Sequence, residues 1–413
     1  MRASPALWIL LLMTTCPTVP AATADDRGLH GAVGLTVQRD DNLFRLADDV
    51  TPAAAGVTRD PDDDGSHRGD TVVAPFATLD LTLAFGRQHL GIALTRRETR
   101  LQRYGAYDTR TGELRGHWDW QLGNAFDGRL ESGDSDQASE LRDFLGPRSN
   151  VLNLQDQRFN ANWRPRPDRR VTLDLQRLRG RNELPERATS DYTVRLKSIE
   201  GGWTTRLGTE WTLRWREAEG TYPNRVIVAA TPIDNSYHQR DADLGVVLQP
   251  GRRTRAELRF GQATRRHDQV PQRDFSGHSG RAALQWEASG ALSLSFEVVR
   301  DLNALDDYDR LYAISTNHVL GAQLAIAPQW QLAARWSEQR LDFGGDPANV
   351  LTQLLGPTPA RRDRMQTTRL ALTWLPVERV QLALSVERTH RDSTRPGLQF
   401  VDMLTGLSSQ YSF

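Results

Sequence analysis

The sequence predicts an all-β protein: a transmembrane, antiparallel up-and-down β-barrel of about 18 strands, within a range of about 16 to 18. Three observations predict this fold class. Segments of about ten residues alternate apolar and polar side chains, which is the pattern of a strand with two different faces. Short turns alternate with long polar loops along the chain. The chain also begins with an export signal and ends on an aromatic residue.

The composition excludes a bundle of membrane-spanning helices. The chain has 413 residues, a charged fraction of 25% and a mean hydropathy of −0.56. A spanning helix needs about 20 apolar residues in a row, and the longest uninterrupted apolar run covers only residues 6–13. The 52 basic and 52 acidic residues form no basic block, so we expect no nucleic-acid partner.

The N-terminus reads as a secretory signal peptide. Arg2 precedes the apolar run, and Ala22-Thr23-Ala24 follows it as a small-x-small cleavage site. We therefore expect two parts, a cleaved signal peptide over 1–24 and a single barrel domain over 25–413. Cys16 is the only cysteine and lies in the signal. The residues before it fit a lipoprotein acceptor poorly, and a mature chain without disulfides suits the bacterial envelope.

The hairpin at residues 201–220, GGWTTRLGTEWTLRWREAEG, shows the pattern most clearly. After its turn at Gly208, apolar and polar side chains alternate, so one face of the hairpin is apolar and the other charged. The apolar residues are Trp203, Leu207, Trp211, Leu213 and Trp215, and the polar ones are Thr212, Arg214 and Arg216. We expect lipid to cover the first set and water in the lumen to cover the second.

Seven further hairpins follow the same rule. Their turns are predicted at Gly86-Arg87, Gly123-Asn124, Pro165–Pro167, Pro250-Gly251, Ser289-Gly290, Pro328 and Pro376. An opening strand over 31–38 and a closing strand complete the count. Long polar connections lie between the hairpins at 102–115, 134–155, 179–192, 220–237, 301–315 and 342–363, and a first extracellular loop covers 39–71. Short periplasmic turns with long outer loops are typical of outer-membrane barrels.

The closing strand ends on an assembly signal. Tyr411 and Phe413 lie two residues apart, and Phe413 is the C-terminal residue. This ending resembles the signal by which outer-membrane barrels are recognised for assembly, so we expect the barrel assembly machinery and outer-membrane lipid as partners. A soluble antiparallel sheet with one solvated face is the alternative, but it would need two such sheets packed together. The predicted location is the bacterial outer membrane, as an integral protein.

Three segments resemble a known family. They are the first-loop sequence at 40–46 (DDNLFRL), the segment at 118–124 (WDWQLGN) and the segment at 158–168 (RFNANWRPRPD). The chain resembles the EpsL-type outer-membrane β-barrel proteins of exosortase/PEP-CTERM-associated exopolysaccharide biosynthesis operons. The likeness in layout covers essentially the whole mature chain.

The resemblance implies a role in exopolysaccharide biosynthesis or export, as a conduit or accessory for polysaccharide passage across the outer membrane. A polysaccharide substrate and periplasmic export proteins are then expected partners. It brings no catalytic residues. Two alternatives stay open: a general, solute-specific porin-like channel, and a non-conducting structural accessory of an export machine. Loop 39–71 is long enough to plug a pore, which would favour the accessory.

The lumen is the first candidate site. Strand phase predicts that charged residues of both signs point inward, namely Arg97, Arg195, Lys197, Arg214, Arg216, Arg255, Arg259, Arg335, Arg369, Glu257 and Glu297. Rings of arginine favour anionic solutes and pair bidentately with carboxylate or phosphate. The alternative is that arginines and carboxylates on neighbouring strands neutralise one another and only fill the lumen.

Other candidate residues belong to the membrane boundary or to metal binding. Trp203, Trp211, Trp215 and Trp374 are candidates for the aromatic girdle. Asp60, Asp62 and Asp64 have the spacing with which a calcium loop begins, but Thr71 stands where the bidentate Glu belongs. A solvated acidic loop is therefore the favoured interpretation, and we expect no cofactor, with calcium in the first loop as the alternative.

An enzymatic function is not expected. Gly277-His278-Ser279-Gly280 contains a His and a Ser, as a hydrolase would need. Adjacent strand residues point to opposite faces, so His278 and Ser279 cannot act together in an extended segment.

Overall fold

The computed structural model describes residues 28–57, 66–139, 141, 148–225, 236–269, 271, 274–304, 312–344 and 361–413. These residues form 18 β-strands, and within them no helix is long and apolar enough to cross a membrane. The strands are β1 (Gly28–Asp40), β2 (Asp70–Phe85), β3 (Gln88–Leu101), β4 (Thr109–Leu122), β5 (Phe126–Ala138), β6 (Val151–Arg166), β7 (Arg169–Asn182), β8 (Tyr192–Thr204), β9 (Glu210–Thr221), β10 (Tyr237–Leu248), β11 (Thr254–His267), β12 (Phe275–Glu287), β13 (Leu292–Ala304), β14 (Tyr312–Ala327), β15 (Trp330–Gly344), β16 (Arg362–Val377), β17 (Val380–Ser393) and β18 (Phe400–Ser412).

The strands form one closed up-and-down barrel. Each strand pairs antiparallel with the next along the chain, and β18 pairs with β1. The closing register runs from Ala32 opposite Ser412 to Asp40 opposite Leu404. Closure leaves no unpaired sheet edge, which is the condition for a sheet to span a bilayer. The predicted fold class and its 18 strands are confirmed.

The connections sort by length onto the two ends of the barrel. Eight of them have two to five residues, and we call the end of the barrel at which they lie the turn end. The other nine have six to 29 residues and lie at the opposite end, which we call the loop end. The first residue of β1 and the last of β18 lie at the turn end, as the even number of strands requires.

Most strands extend further toward the loop end than the sequence predicts. Residues 109–115, 134–138 and 179–182, which we expected in loops, continue β4, β5 and β7. Apolar alternation marks only the part of a strand that faces lipid. Beyond that level both faces contact water, so the pattern fades although the backbone ladder goes on.

Two turns that the sequence predicts at prolines begin about two residues further along the chain in the structure. Pro165 belongs to β6 and Pro376 to β16, and the chain reverses after them, at 167–168 and 378–379. The register shifts between Trp163 and Arg166 in one case and between Trp374 and Val377 in the other. A proline has no N–H to give to the ladder, so it is accommodated at such a bulge.

The outer wall is apolar over the part of each strand next to the turn end. Leucine, phenylalanine and tryptophan side chains point away from the barrel at every second position, with Leu213 exposed to 62% and Phe260 to 64%. A continuous band of this kind would be unstable in water. It fits the acyl chains of a bilayer.

Aromatic pairs lie at the margin of that band nearest the turn end. Trp203 stacks on Trp211 beside the turn at 205–209, with ring centroids 5.9 Å apart. Trp330 stacks on Trp374 at 5.4 Å beside another turn. Amphipathic rings at one level are typical of the boundary between lipid and water.

Candidate functional site

The inner wall carries the charged side chains of the alternating pattern. Residues paired directly across an antiparallel ladder share a face, so the outward apolar side chains fix the inward ones. Leu213 and Trp215 point outward, and Arg214 and Arg216 therefore point into the lumen. By the same argument the inward set contains Arg97, Arg214, Arg216, Arg255, Arg259, Arg335, Arg369, Glu257 and Glu297.

Arg195 and Lys197 are on the opposite wall from the one predicted. In β8 they share their face with Ile199 and Trp203, whose apolar side chains are about half exposed on the outside. Lys197 and Arg195 are paired in register with the outward Glu217 and Glu219. They lie toward the loop end, past the lipid-facing part of the strand. There, charged side chains are compatible with either face.

On one side of the lumen the arginines are neutralised. Arg214 Nη2 lies 2.8 Å from Asp243 Oδ2, and Arg259 Nη1 lies 3.0 Å from Asp243 Oδ1 and 3.4 Å from Glu200 Oε2. Arg170 Nη2 contacts Glu200 Oε1 at 3.3 Å and Glu210 Oε1 at 2.9 Å. These contacts form one network over the inner faces of β7 to β11.

The network continues toward the loop end. Arg216 Nη2 lies 2.5 Å from Asp241 Oδ2, and Asp241 also accepts from the side-chain amide of Gln239 at 2.8 Å. Arg265 Nε donates to Gln239 at 2.9 Å, and its guanidinium lies 4.1 Å from the ring centroid of Tyr237. For these arginines the structural interpretation, mutual neutralisation, fits the geometry.

On the other side of the lumen lies an open cavity of about 1370 Å³. Among the described residues that line it, arginines outnumber carboxylates. The arginines are Arg45, Arg252, Arg253, Arg255, Arg335 and Arg369, and the carboxylates are Asp40, Glu287 and Glu387. The cavity therefore presents an excess of positive charge to a solute.

Several of these cavity arginines are not neutralised by the wall. Arg335 and Arg369 lie directly opposite each other on β15 and β16. Within the part of the chain that the structure describes, Glu387 is the one carboxylate paired with either of them, at 3.6 Å from Arg369 Nη1. The described residues place no carboxylate within ion-pair distance of Arg252, Arg253 or Arg255. Like charges in direct register destabilise a sheet unless a counter-charge lies between them.

The remaining inward candidates have local partners. Arg97 lies over the ring of Phe76, with its guanidinium carbon 5.1 Å from the ring centroid. Glu297 Oε1 lies 2.8 Å from Arg281 Nε, and Glu257 Oε1 lies 3.7 Å from Arg281 Nη1. These contacts hold the side chains against the wall, whereas Arg252, Arg253, Arg255 and Arg335 in the cavity have no such partner among the described residues.

The first loop is anchored over the cavity by the residues of 40–46. Asn42 Nδ2 donates to the carbonyls of Leu46 at 2.9 Å and Val401 at 3.0 Å, while its Oδ1 accepts from the Leu46 amide. Arg45, with a positive φ of 55°, bridges Asp40 at 2.9 Å and Asp402 at 2.7 Å. The motif behind the family resemblance therefore ties the start of the loop to the seam of the barrel.

An apolar cluster holds the same loop against the inner wall. Phe44 is 1% exposed and makes edge-on contacts with Tyr104 and Tyr107, with centroids 4.9 and 5.3 Å apart. Leu46, Val57 and Leu101 are buried in the same cluster. Leu43, Arg45 and Tyr107 line the cavity. The loop thus forms part of the cavity wall at the loop end.

The other predicted site residues fall in different places. Trp215 is 46% exposed on the outer wall and lies further from the turn than Trp211. Asp60, Asp62 and Asp64 lie outside the described residues. His278 faces outward and stacks on Phe260 at 5.4 Å, while Ser279 lies on the inner face, so this pair forms no catalytic dyad.

Four residues of the lumen were not predicted from the sequence. Arg252 and Arg253 lie in a turn, where strand phase gives no face, yet they line the cavity. Asp241 and Asp243, the main partners of the inner arginines, could have been found from their strict alternation with Ala242 and Leu244 in β10.

No family model and no curated relative matches the chain. Among solved structures, it is similar to OccK2 (OpdF) from Pseudomonas aeruginosa in complex with glucuronate, with a TM-score of 0.52, 11% identity, and coverage of 93% of this chain and 98% of that one. The siderophore receptor PirA from P. aeruginosa aligns at a TM-score of 0.47 and 11% identity, over 94% of this chain and 80% of that one. At these identities the first likeness shows the fold.

Proposed function

We propose that this protein is an outer-membrane channel for small anionic solutes, above all carboxylate-bearing sugars. The observation that carries the proposal is the cavity wall, where Arg335 and Arg369 face each other with one carboxylate at 3.6 Å. A solute carboxylate placed between two guanidinium groups would accept charge-assisted hydrogen bonds from both. The fold is that of an OccK2 structure holding glucuronate, a solute of this class.

The arrangement suits passage as well as binding. The cavity arginines that are not neutralised are spread along the lumen, from Arg252 and Arg255 at the turn end to Arg335 and Arg369 further along the wall. Several weak sites in series let an anion move from one to the next, whereas one tight site would hold it.

Reversal potentials in planar bilayers under a salt gradient test the proposal. The wild type is expected to prefer anions, and Arg335→Gln with Arg369→Gln should lose most of that preference. The matched control is Arg100→Gln with Arg110→Gln, which removes two outer-wall arginines that contact Glu98. Liposome swelling then compares the rate at which glucuronate and the neutral sugar glucose enter through the wild-type channel, and we expect glucuronate to enter faster. A cation-selective wild type, or a double variant as anion-selective as the wild type, would refute the proposal.

We also propose a more specific role for this channel, in exopolysaccharide biosynthesis or export. It is supported by the resemblance at 40–46, 118–124 and 158–168, and acidic polysaccharide fragments carry the carboxylates that the cavity arginines fit. The test is the amount of secreted polysaccharide from a strain lacking the protein, with and without the Arg335→Gln, Arg369→Gln variant supplied in trans. Unchanged secretion without the protein would contradict this role but not the channel.

A further inference from the structure

A second charged surface lies on the outside of the barrel. Five cations point outward from β7 and β8, immediately past the last lipid-facing residues, Leu175 and Ile199. We call them the outer basic patch: Arg177, Arg179, Arg181, Arg195 and Lys197. The predicted lumen cations Arg195 and Lys197 thus belong to this surface.

The barrel itself supplies too little negative charge for this patch. Arg177 and Arg195 are paired directly across β7 and β8. Arg195 Nη1 lies 3.5 Å from Glu219 Oε2, both largely exposed, and Glu217 contacts Arg240 at 3.4 Å. Among the residues that the structure describes, no carboxylate contacts Arg177, Arg179, Arg181 or Lys197.

A second pair of opposed arginines on the outer wall is neutralised by a carboxylate of the barrel itself. Arg340 and Arg364 also face each other across two strands. Glu338 lies between them, 3% exposed, with Oε1 2.6 Å from Arg340 Nε and Oε2 2.5 Å from Arg364 Nη2. The outer basic patch has the same opposed arginines without the buried carboxylate. Opposed like charges cost stability unless a counter-ion is present.

The height of the patch indicates what supplies that charge. The cations begin at the margin of the apolar band, where Lys197 is paired with Leu175, and continue past it toward the loop end. At that level the headgroups of a lipid leaflet lie against an outer-membrane barrel. Arginine binds phosphate bidentately, and several arginines at one level can bind more than one phosphate.

We propose that the outer basic patch binds the phosphates of a phosphorylated glycolipid of the outer leaflet. The acyl chains would lie on Leu173, Leu175 and Ile199, and the phosphates would lie between the guanidinium groups above them. The inference rests on the proposed outer-membrane location but not on channel activity.

Native mass spectrometry of the full-length barrel in detergent tests the proposal, with diphosphorylated lipid A as the probe. Arg177→Gln with Arg195→Gln should weaken lipid A binding by about tenfold or more, because the loss of a single charge-assisted hydrogen bond already costs about 1.4 kcal/mol, which is a factor of about ten. The control, Arg100→Gln with Arg110→Gln, should bind as the wild type does. Arg179→Gln with Lys197→Gln serves if the first variant fails to fold.

Three results would overturn the proposal. One is equal lipid A binding by wild type and patch variants. Another is equal wild-type affinity for lipid A stripped of its phosphates. The third is a patch variant that changes only the oligomeric state in sedimentation, since the face would then be a protein interface. Anion selectivity, measured on the same variants, should not change, so that failure here and failure of the channel proposal can be told apart.

Discussion

At the scale of the residue, arginine occupies three different environments in this barrel. Arg214 and Arg259 are paired with Asp243 inside the lumen. Arg335 faces the cavity without a carboxylate partner among the described residues. Arg177 faces outward, just past the apolar band of the outer wall. Only the second and third kinds are free to bind an anion, because an arginine that is already paired has less charge to offer.

This distinction decides which substitution tests selectivity. Replacing Arg214 and Arg216 by Glu would set new carboxylates beside Asp243 and Asp241, which lie 2.8 and 2.5 Å from the present guanidinium groups. Buried like charges would then destabilise the wall. Neutral variants of Arg335 and Arg369 change the charge of the cavity without that side effect.

Gly34 shows where a single methyl group would matter. It lies on the inner face of β1, where the ring of Phe76 covers it, and an added Cβ would lie 2.5 Å from the Ser409 carbonyl oxygen. We expect Gly34→Ala to cost about 1–3 kcal/mol, because backbone cannot move aside as a side chain can. The measurement is the temperature at which the folded band is lost on an SDS gel.

The control for that variant is Gly116→Ala. The nearest atom to a Cβ there is the Gly91 carbonyl oxygen at 4.0 Å, so the alanine fits. Equal midpoints for both variants would show that the seam around Gly34 can adjust.

At the scale of the element, strands were predictable where lipid covers one face. Leu79, Leu83 and Phe85 alternate with polar residues, and β2 lies where that alternation predicts it. The face of Arg195 and Lys197 was also readable, since both are an even number of residues from Trp203 in β8. The interruption by Gly201-Gly202 weakens the alternation there, so the phase of β8 is harder to read from its apolar residues alone.

The contacts of the site could not be predicted in the same way. Glu200 and Arg259 are far apart in sequence yet lie 3.4 Å apart, because β8 to β11 curve around the lumen. Arg335 lies opposite Arg369 only because of the register of β15 and β16 across a long connection. Periodicity gives the face of a side chain, whereas its partner depends on register and on the curvature of the closed sheet.

The packing of the first loop against the inner wall can be tested by removing the Phe44 side chain. Phe44→Ala deletes the ring that packs between Tyr104 and Tyr107, a loss that costs about 3–5 kcal/mol at a buried site. We expect faster proteolysis within 41–57 and a larger, noisier single-channel conductance. Phe44→Leu, which keeps most of the volume, is the control. Unchanged conductance in Phe44→Ala would mean that this loop does not limit flow.

At the scale of the whole molecule, the seam between β1 and β18 depends on the last residue. Phe413 and Gly31 exchange two backbone hydrogen bonds, each 2.9 Å long, and the Phe413 ring lies across Gly31. Tyr411 stacks beside it at 6.4 Å. The predicted assembly signal is thus also a structural part of the closed barrel.

Deletion of Phe413 should lower the amount of protein in the outer membrane while export to the periplasm continues. It removes both the aromatic side chain and about 0.5–1.5 kcal/mol for each of the two hydrogen bonds. Phe413→Ala, which keeps the hydrogen bonds, separates recognition from seam stability. Fractionated cells and immunoblots give the measurement. Equal membrane levels of the deletion and the wild type would show that residue 413 is dispensable for assembly.

The closed seam also sets an order of events in time. Asp40 pairs with Leu404, so the first strand waits for a partner made more than three hundred residues later. Until β18 arrives, a growing sheet exposes two free edges that can pair with other chains. Contacts so distant in sequence form slowly. We therefore expect the unclosed sheet to be the state most prone to pair with other chains, and closure of β18 onto β1 to be the step that ends this exposure.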